Sequence, residues 1–464
     1  MFKTAAYRAL LAGLALYGAA FLADSIRHLA YPFAIDGGEG LVLDQARQLA
    51  AGETLYRKVD GYPYKAAHYP PVYPVLCALP IRLWGVSLLY GRLLSLFSTL
   101  GVAGLLYAWV RKESESREAG ALAALLFLAS PYVSSWGIVH RVDMLGLFFT
   151  AAGLFVARRG WNTRGVYGSI PLFLLAGLTK QTFLAAPLAV FIALLWQDRP
   201  RAWRWGAASA ACAGLAFGAL MAASDGHAFY HLVTSARNRF SGMVLVQSWT
   251  QAVRCHAGLF GLAFAGWALT SIAPRPSLAG LYMPLAALAG LGAAKLGSGI
   301  NYFLELILAA CLAASMAVAR LQRHPVPETA LFAWVLLALQ LFCGAQRYVP
   351  PHLGPDERAR ITLHVNEADG PILSEDPGYV VVLGRPLVFH GWAMSQLHYQ
   401  GIWDDAPVVR DLKSGRFKKL LLSEDVDRVG PGGSDSLTPA MAEAVRTSYR
   451  CVDRVGWIHV YAPK

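Results

Sequence analysis

The order of apolar and polar segments is the main structural signal in this chain. Apolar runs separated by short polar loops fill residues 1–345. A helix needs about 20 apolar residues to cross the hydrocarbon core of a bilayer, and shorter runs cross by tilting or pairing. The pattern predicts about eleven spans, within a range of about 10–13. They lie near residues 5–23, 89–110, 119–135, 143–157, 165–179, 182–197, 203–222, 257–273, 278–295, 302–319 and 329–346.

The pattern changes after residue 345. Residues 346–464 are more polar and contain short runs rich in strand-forming residues at 379–383, 418–422 and 457–461. Thr438-Pro439 predicts a helix start, with threonine as the N-cap and proline in the first helical position. We therefore predict an α-helical polytopic membrane domain over residues 1–345 and a small soluble α/β domain over residues 346–464.

Charge predicts how the chain is oriented. Of the 464 residues 56% are hydrophobic and only 15% are charged, whereas about a quarter are charged in soluble proteins. The net charge of +12 comes from short basic clusters after alternate spans. These loops are predicted to be cytoplasmic, and nucleic-acid binding is disfavoured. These basic residues are Lys3 and Arg8; Arg111, Lys112 and Arg117; Arg158, Arg159 and Arg164; Arg199, Arg201 and Arg204; Arg275; and Arg320 and Arg323.

This orientation predicts a multi-pass plasma (inner) membrane protein with a cytoplasmic N-terminus and an extracytoplasmic C-terminal domain.

The chain lacks the P-loop, dinucleotide-binding, HExxH and GxSxG motifs. Its six cysteines form no CxxC pair, so no zinc site or disulfide framework is predicted. Because the P-loop and GxSxG motifs are missing, ATP-driven transport and serine hydrolysis lose support.

The unusual polar residues collect on the predicted exterior face. The first exterior loop contains Asp36-Gly-Gly-Glu39, and its glycines allow close approach of a ligand. Asp36 is a candidate general base. Glu39 is either a second catalytic acid or a residue that stabilises the start of a helix near Leu41. His68, Tyr69 and Tyr73 follow in a proline-rich run, as substrate-lining residues or as interfacial anchors.

Further candidates occupy the other exterior loops. His140, Arg141 and Asp143 precede a span, where the charged pair either serves the site or pairs internally. Lys180 and Gln181 form the tip of a hairpin, and Lys180 is either a ligand for a phosphate or a snorkelling lysine.

A cationic clamp and a polar segment complete the candidates. Arg237 and Arg239 are candidate phosphate ligands in the loop of residues 223–256. Asn301, Tyr302 and Glu305 are candidate substrate-lining residues, although Glu305 could equally find a partner inside the bundle.

These motifs together resemble the GT-C class of membrane glycosyltransferases, in the bacterial branch related to protein O-mannosyltransferases and lipid A aminoarabinose transferases. The resemblance covers about residues 5–345. The matching elements are the first-loop acids, Pro70-Pro71-x-Tyr73, Arg141-x-Asp143, the 178–181 hairpin and the 301–303 segment. Many relatives have adjacent acids in the first loop, whereas here two glycines separate Asp36 from Glu39.

The resemblance implies an inverting hexosyl- or pentosyltransferase that uses a polyprenyl-phosphate sugar donor. It implies Asp36 as the base, Asp143 as a second acid, and Lys180 with an arginine as ligands of the donor phosphate. The acceptor is a hydroxyl of a glycan, lipid or protein, and a divalent cation is compatible with the chemistry. The alternative is a transporter or flippase of lipid-linked sugars, against which the lack of an internal repeat argues.

Overall fold

The computed structural model describes residues 2–271, 277–345 and 352–464. Every predicted span overlaps helical residues of this structure, up to the edges of the described ranges, and the span predicted at 119–135 is divided between two helices. The helices of the membrane part are α1 (Phe2–Leu29), α2 (Glu39–Ala50), α3 (Val72–Trp84), α4 (Leu89–Ser114), α5 (Arg117–Leu128), α6 (Pro131–Trp136), α7 (Asp143–Arg159), α8 (Ser169–Thr179), α9 (Ala185–Gln197), α10 (Arg199–Ala222), α11 (His227–Phe229), α12 (Gly242–Ser271), α13 (Leu278–Ala289), α14 (Leu304–Arg323) and α15 (Pro327–Gly344).

Length and burial separate the helices into central and peripheral ones. Within the described ranges, five helices are long and apolar enough to cross a membrane, at Ala5–Leu29, Leu89–Ser114, Arg199–Ala222, Gly242–Leu269 and Ile300–Arg323. A helix that is apolar on every side is stable only inside the protein or in lipid. Helix α14 is buried nearly throughout among α5, α12, α13 and α15, whereas α10 exposes most of its apolar surface, as a lipid-facing helix does.

The first loop folds into two helices at one end of the bundle. Helix α2 begins at Glu39, close to the start expected near Leu41. Helix α3 begins at Val72, directly after Pro70-Pro71. Pro74 is tolerated there because its missing N–H belongs to the first helical turn, where amide groups have no partner within the helix.

The C-terminal region is a mixed α/β unit. Its sheet has the order β1-β2-β4-β3, with β1 and β2 parallel and the other neighbours antiparallel. The elements are α16 (Pro355–Asn366), β1 (Ile372–Ser374), α17 (Gly378–Val381), α18 (Gly391–Tyr399), α19 (Ala406–Lys413), β2 (Lys419–Leu422), α20 (Pro439–Ser448), β3 (Tyr449–Val455) and β4 (Ile458–Pro463).

Most of the expected elements in this region are confirmed, and one is wrong. Strands β2 and β4 match two predicted strands, and Thr438 caps α20 by accepting a hydrogen bond from the Met441 amide (3.2 Å). Residues 379–383 were predicted as a strand, but the helical turn α17 occupies most of that segment. The Asp376 carboxylate accepts a hydrogen bond from the Gly378 amide (2.7 Å), and the turn packs on α2.

The C-terminal region and the first loop share one hydrophobic core. Phe33, Val42 and Tyr73 of the first-loop region pack in the same cluster as Val380 and Val460. This apolar contact holds the C-terminal region over the end of the bundle that carries the first loop. The predicted domain boundary at 345/346 adjoins residues 346–351, which lie outside the described residues.

Candidate active site

A polar cavity of about 630 Å³ lies between the end of the helical bundle and the C-terminal region. Segments far apart in the sequence converge on it: the first loop, the tip of the α8–α9 hairpin, the segment before α14, and the C-terminal sheet. The predicted site residues that line it are Asp36, His68, Tyr69, Arg141, Lys180, Gln181, Asn301 and Tyr302.

An ion pair between Asp36 and Arg141 forms one wall. Arg141 Nη1 donates to Asp36 Oδ1 (2.8 Å), which also accepts from the Gly38 amide (3.0 Å). Arg141 Nη2 donates to the Tyr69 hydroxyl (2.9 Å), and the guanidinium lies 5.5 Å from the centroid of the Trp136 ring. A Cβ on Gly38 would lie 1.3 Å from Arg141 Nη1, so glycine is required for this pairing.

Asp36 retains one oxygen for a substrate. Its side chain is 27% exposed, and Oδ2 has no hydrogen-bond partner among the described residues. Burial raises the pKa of the Asp36 carboxyl above its ordinary value, while Arg141 opposes that shift. The carboxylate is therefore positioned and partly desolvated, which suits a proton acceptor.

A buried cluster around Asp143 and Lys180 forms the floor. Lys180 Nζ donates to Asp143 Oδ1 (2.5 Å), which also accepts from Asn301 Nδ2 (2.8 Å). The ammonium lies 4.7 Å from the centroid of the Tyr302 ring. Lys180 lines the cavity, whereas Asp143 lies behind it. An ammonium has three donors, so Lys180 keeps donors for an anionic ligand.

Glu39 has a different environment from Asp36. It is fully buried and forms a two-point pair with Arg92, from Nε to Oε1 (3.0 Å) and from Nη2 to Oε2 (2.8 Å). The amides of Ile35 and His140 also donate to it, each at 2.7 Å. Burial raises the pKa of Glu39, but the Arg92 pair outweighs burial and holds the pKa below its ordinary value. Glu39 does not line the cavity.

Five other predicted site residues also lie outside the cavity wall. Tyr73 and His140 are fully buried, and both contact backbone carbonyls, of Gly91 (2.9 Å) and Leu88 (3.2 Å) respectively. Glu305 accepts a hydrogen bond from Tyr282 (3.3 Å) beneath the floor. Arg237 and Arg239 are exposed, whereas Ser235, Ala236 and Asn238 of that segment line the wall.

The C-terminal region contributes wall residues that no local sequence pattern singled out. Asp376 belongs to an ordinary-looking Asp-Pro-Gly turn, and aromatic residues scattered through the region gave no motif. Burial raises the pKa of Asp376 to about 7; the Gly378 amide opposes this shift and the charge on Asp36 adds to it. These wall residues are Glu375, Asp376, Tyr379, His390, Trp392 and Trp457.

Several buried polar atoms around the cavity have no hydrogen-bond partner among the described residues. They are His68 Nε2, Gln181 Oε1, Asn301 Oδ1 and His390 Nδ1. Most buried polar atoms in proteins are paired, because leaving one unpaired costs about 1–3 kcal/mol. Their concentration here indicates a surface suited to a polyhydroxylated ligand.

Two further cavities adjoin this one. An apolar groove of about 950 Å³ runs between α8, α9 and α10 and shares Gln181 with the polar cavity. A cavity of about 800 Å³ between α1, α6 and α12 shares Asp36 and Trp136 with it. In the described parts of the chain, no group of three or more His, Cys, Asp or Glu residues has the arrangement of a metal site.

Comparison with known proteins matches both a family and a fold. Residues 68–224 match the family described as dolichyl-phosphate-mannose-protein mannosyltransferase. ArnT from Cupriavidus metallidurans, in the apo state and bound to undecaprenyl phosphate, is 15% identical with a TM-score of 0.63, over 97% of each chain. No curated protein sequence matches the chain.

More distant structures share the same fold. The archaeal oligosaccharyltransferase AglB from Archaeoglobus fulgidus, in complex with an inhibitory peptide and a dolichol-phosphate, is 12% identical with a TM-score of 0.56, over all of this chain and 75% of that one. Arabinofuranosyltransferase AftD from Mycobacteria is 16% identical with a TM-score of 0.52, over 97% of this chain and 40% of that one.

The chain has the ArnT-like membrane fold, which is the fold of the GT-C class of membrane-embedded glycosyltransferases. Within that class its likeness is to the protein mannosyltransferase family, over residues 68–224, and to the structure of the aminoarabinose transferase ArnT, over nearly the whole chain. The resemblance drawn from the sequence motifs is thereby confirmed.

Proposed function

We propose that this protein is an inverting glycosyltransferase that moves a sugar from a polyprenyl-phosphate donor to an acceptor hydroxyl. One observation carries the proposal: a single cavity contains a positioned carboxylate, Asp36, and a buried ammonium, Lys180, and it meets an apolar groove at Gln181. A lipid-linked sugar needs an apolar groove for its lipid and a polar cavity for its sugar. The polar cavity must contain a cation for the phosphate and a base for the acceptor.

The donor fits the groove and the cavity floor. The groove is lined by aromatic and aliphatic side chains of α8, α9 and α10, including Phe173, Leu188 and Phe217, and would bury an isoprenoid chain. The phosphate then lies near Lys180, whose free donors stabilise the charge on the leaving group. The fold relatives bound to undecaprenyl phosphate and to dolichol-phosphate support a donor of this class.

The reaction uses the base and the cation that line the same cavity. The acceptor O–H bond breaks and its proton goes to Asp36 Oδ2. The acceptor oxygen forms a bond to the anomeric carbon, while the bond from that carbon to the phosphate oxygen breaks and leaves its electrons on the phosphate. Attack opposite the leaving group inverts the anomeric centre. The cavity between α1, α6 and α12 also reaches Asp36, and it gives the acceptor a route that is separate from the apolar groove of the donor.

The basic clusters support the exterior face of the plasma membrane as the location of this site, with the N-terminus in the cytoplasm. The enzyme is then a hexosyl- or pentosyltransferase of the cell envelope. Its acceptor is a hydroxyl of a glycan, a lipid or a protein.

Reconstitution tests the function and the base together. The purified protein in liposomes should transfer label from a panel of polyprenyl-phosphate pentoses and hexoses to cell-envelope extract. Asp36→Asn should lower that transfer by at least about 10²-fold, because a general base contributes about 10²–10⁴-fold. Its binding of undecaprenyl phosphate should stay within about twofold of wild type.

Asp60→Asn is the matched control, since Asp60 lies in the same loop and its side chain is 63% exposed. Wild-type transfer by the Asp36→Asn protein would remove Asp36 as the base. Movement of intact lipid-linked sugar across the bilayer without sugar release would instead indicate a flippase.

A further inference from the structure

A turn of the C-terminal region packs directly on the loop that carries Asp36. A Cβ on Gly40 would lie 2.2 Å from the Gly378 amide nitrogen, and a Cβ on Gly378 would lie 2.3 Å from the Ala34 Cβ. Backbone therefore meets backbone between Gly40 and Gly378, and the Ala34 side chain fills the space where Gly378 lacks a Cβ, so both positions require glycine. The glycines of the first-loop motif thus serve two neighbours: Gly38 makes room for Arg141, and Gly40 makes room for the turn.

The turn delivers a second carboxylate to the cavity. Asp376 Oδ1 accepts from the Gly378 amide (2.7 Å), and the Ser374 hydroxyl donates to the Asp376 carbonyl (2.6 Å), so the backbone of the turn is fixed. Asp376 Oδ2 lies 4.0 Å from the position of a Cβ on Gly37, directly beside the Asp36 loop. Asp376 and Asp36 both line the cavity.

Among the described residues Asp376 has no cation partner, unlike Asp36 and Glu39, and it has fewer hydrogen-bond donors than the neighbouring Glu375. Asp36 pairs with Arg141, and Glu39 pairs with Arg92. Glu375 accepts hydrogen bonds from the hydroxyls of Ser423 (2.5 Å) and Ser436 (2.8 Å). Within the described residues Asp376 forms no salt bridge, and its Oδ2 accepts no hydrogen bond.

We propose that Asp376 and Asp36 form a carboxylate pair that receives the proton of the acceptor hydroxyl. The C-terminal region thus supplies one of the two carboxylates, Asp376. This inference rests on the proposed glycosyltransferase function. Asp36, oriented by Arg141, takes the proton as the acceptor oxygen bonds to the anomeric carbon. The proton then passes to Asp376, which has no paired cation among the described residues to stabilise its ionised form, and Asp36 returns to its ionised, Arg141-paired form.

The direction of that transfer follows from the surrounding charges. The charges that act on Asp376 are those of Asp36 and Glu39 in the first loop and of Glu375 on its own segment, and all three raise its pKa together with burial. Arg141 and Arg92 are already committed to the first two acids. With a pKa of about 7, Asp376 is ionised above neutrality and binds the proton more tightly than an ordinary carboxylate.

The test compares Asp376→Asn, Asp376→Glu and the control Asp369→Asn, which makes the same change at an exposed position outside the cavity wall. We expect Asp376→Asn to lower kcat by about 10²-fold at pH 7.5, with undecaprenyl phosphate binding within about twofold of wild type. Asp376→Glu should recover part of the rate, and Asp369→Asn should match wild type.

The pH profile separates a proton acceptor from a structural residue. The wild-type rate should fall as pH decreases through about 7, where Asp376 becomes protonated, and this step should vanish in Asp376→Asn. A wild-type rate and profile in Asp376→Asn would overturn the proposal. Loss of undecaprenyl phosphate binding in Asp376→Asn, without recovery in Asp376→Glu, would also overturn it by indicating a purely structural turn.

Infrared spectroscopy gives a readout that does not need turnover. The protonated carboxyl band of the wild-type protein in liposomes should contain a component that titrates near pH 7 and is missing in Asp376→Asn. If wild type transfers no sugar but shows this component, the proposed function fails while the carboxylate pair stands. Absence of the component from wild type would overturn the pair itself.

Discussion

Asp36 and Glu39 show how two acids three positions apart acquire different properties. Glu39 is surrounded by donors: both oxygens are bound by Arg92 and by backbone amides. Asp36 shares its guanidinium partner with Tyr69 and keeps one oxygen free towards the cavity. The chemistry of each carboxylate is therefore set by its neighbours and not by its place in the motif.

Breaking the Glu39–Arg92 pair should destabilise the protein strongly. Glu39→Gln leaves the Arg92 guanidinium buried without a counter-charge, which typically costs about 3–5 kcal/mol. We expect a clearly lower thermal unfolding midpoint in detergent, together with lower yield of folded protein. Lys58→Met is the control, because the Lys58–Asp60 pair is exposed and its loss should leave the midpoint unchanged. Equal midpoints for the two variants would contradict a structural role for Glu39.

At the scale of elements, the glycine at the start of α2 couples the first loop to the C-terminal region. Gly40→Ala forces a Cβ into the Gly378 backbone and should separate the turn from the loop. We expect reduced transfer and a lower unfolding midpoint, measured on the same preparation. Gly61→Ala in the same loop is the matched control, since a Cβ there meets nothing within 4 Å. Unchanged transfer by Gly40→Ala would show that the contact does not support the site.

The apolar groove can be tested with a pair of matched helix substitutions. Gly177 lines the groove on α8 and has open space around it, so Gly177→Phe should fill the groove. We expect about tenfold weaker binding of undecaprenyl phosphate, or roughly 1.4 kcal/mol, with little effect on an analogue of two isoprene units. Gly214→Phe on α10 also enters open space, but outside the groove, and should bind both lipids like wild type. Equal affinity in both variants would exclude this groove.

The prediction of a strand at 379–383 was wrong because of how the elements pack against one another. Its β-branched and aromatic residues suit a strand, but a helical turn begins after Pro377, where the Asp376 carboxylate accepts a hydrogen bond from the Gly378 amide. Val380 and Val381 are then buried in the core shared with the first loop. Burial against residues distant in the sequence therefore outweighed the local preference of these residues for a strand.

For the whole molecule, orientation in the membrane is the first property to test. Reporter fusions at Arg201 and after Lys464 should report opposite sides of the membrane, because Arg201 belongs to a basic, cytoplasmic cluster and the C-terminal region covers the polar cavity. Fractionated cells with a cytoplasm-active and an exterior-active reporter provide the measurement. Activity of the same reporter at both positions would undo the proposed exterior site.

The sequence alone determined the helical membrane architecture, the α/β character of the C-terminal region and the half of the site that lies in the first 345 residues. Long apolar runs, basic loops and caps are local signals that act within a few residues. They were enough to select Asp36, Arg141 and Lys180, because charged groups at span ends have few structural uses, and Asn301, whose amide offers hydrogen bonds at such an end.

Only the tertiary structure separated Asp36 from Glu39 and brought Asp376, His390 and Trp392 to the cavity. These contacts join positions hundreds of residues apart, and burial and ion pairing at such contacts leave no local pattern in the chain. The same holds for Tyr73 and His140, which carry the right functional groups but are turned towards backbone carbonyls in the interior.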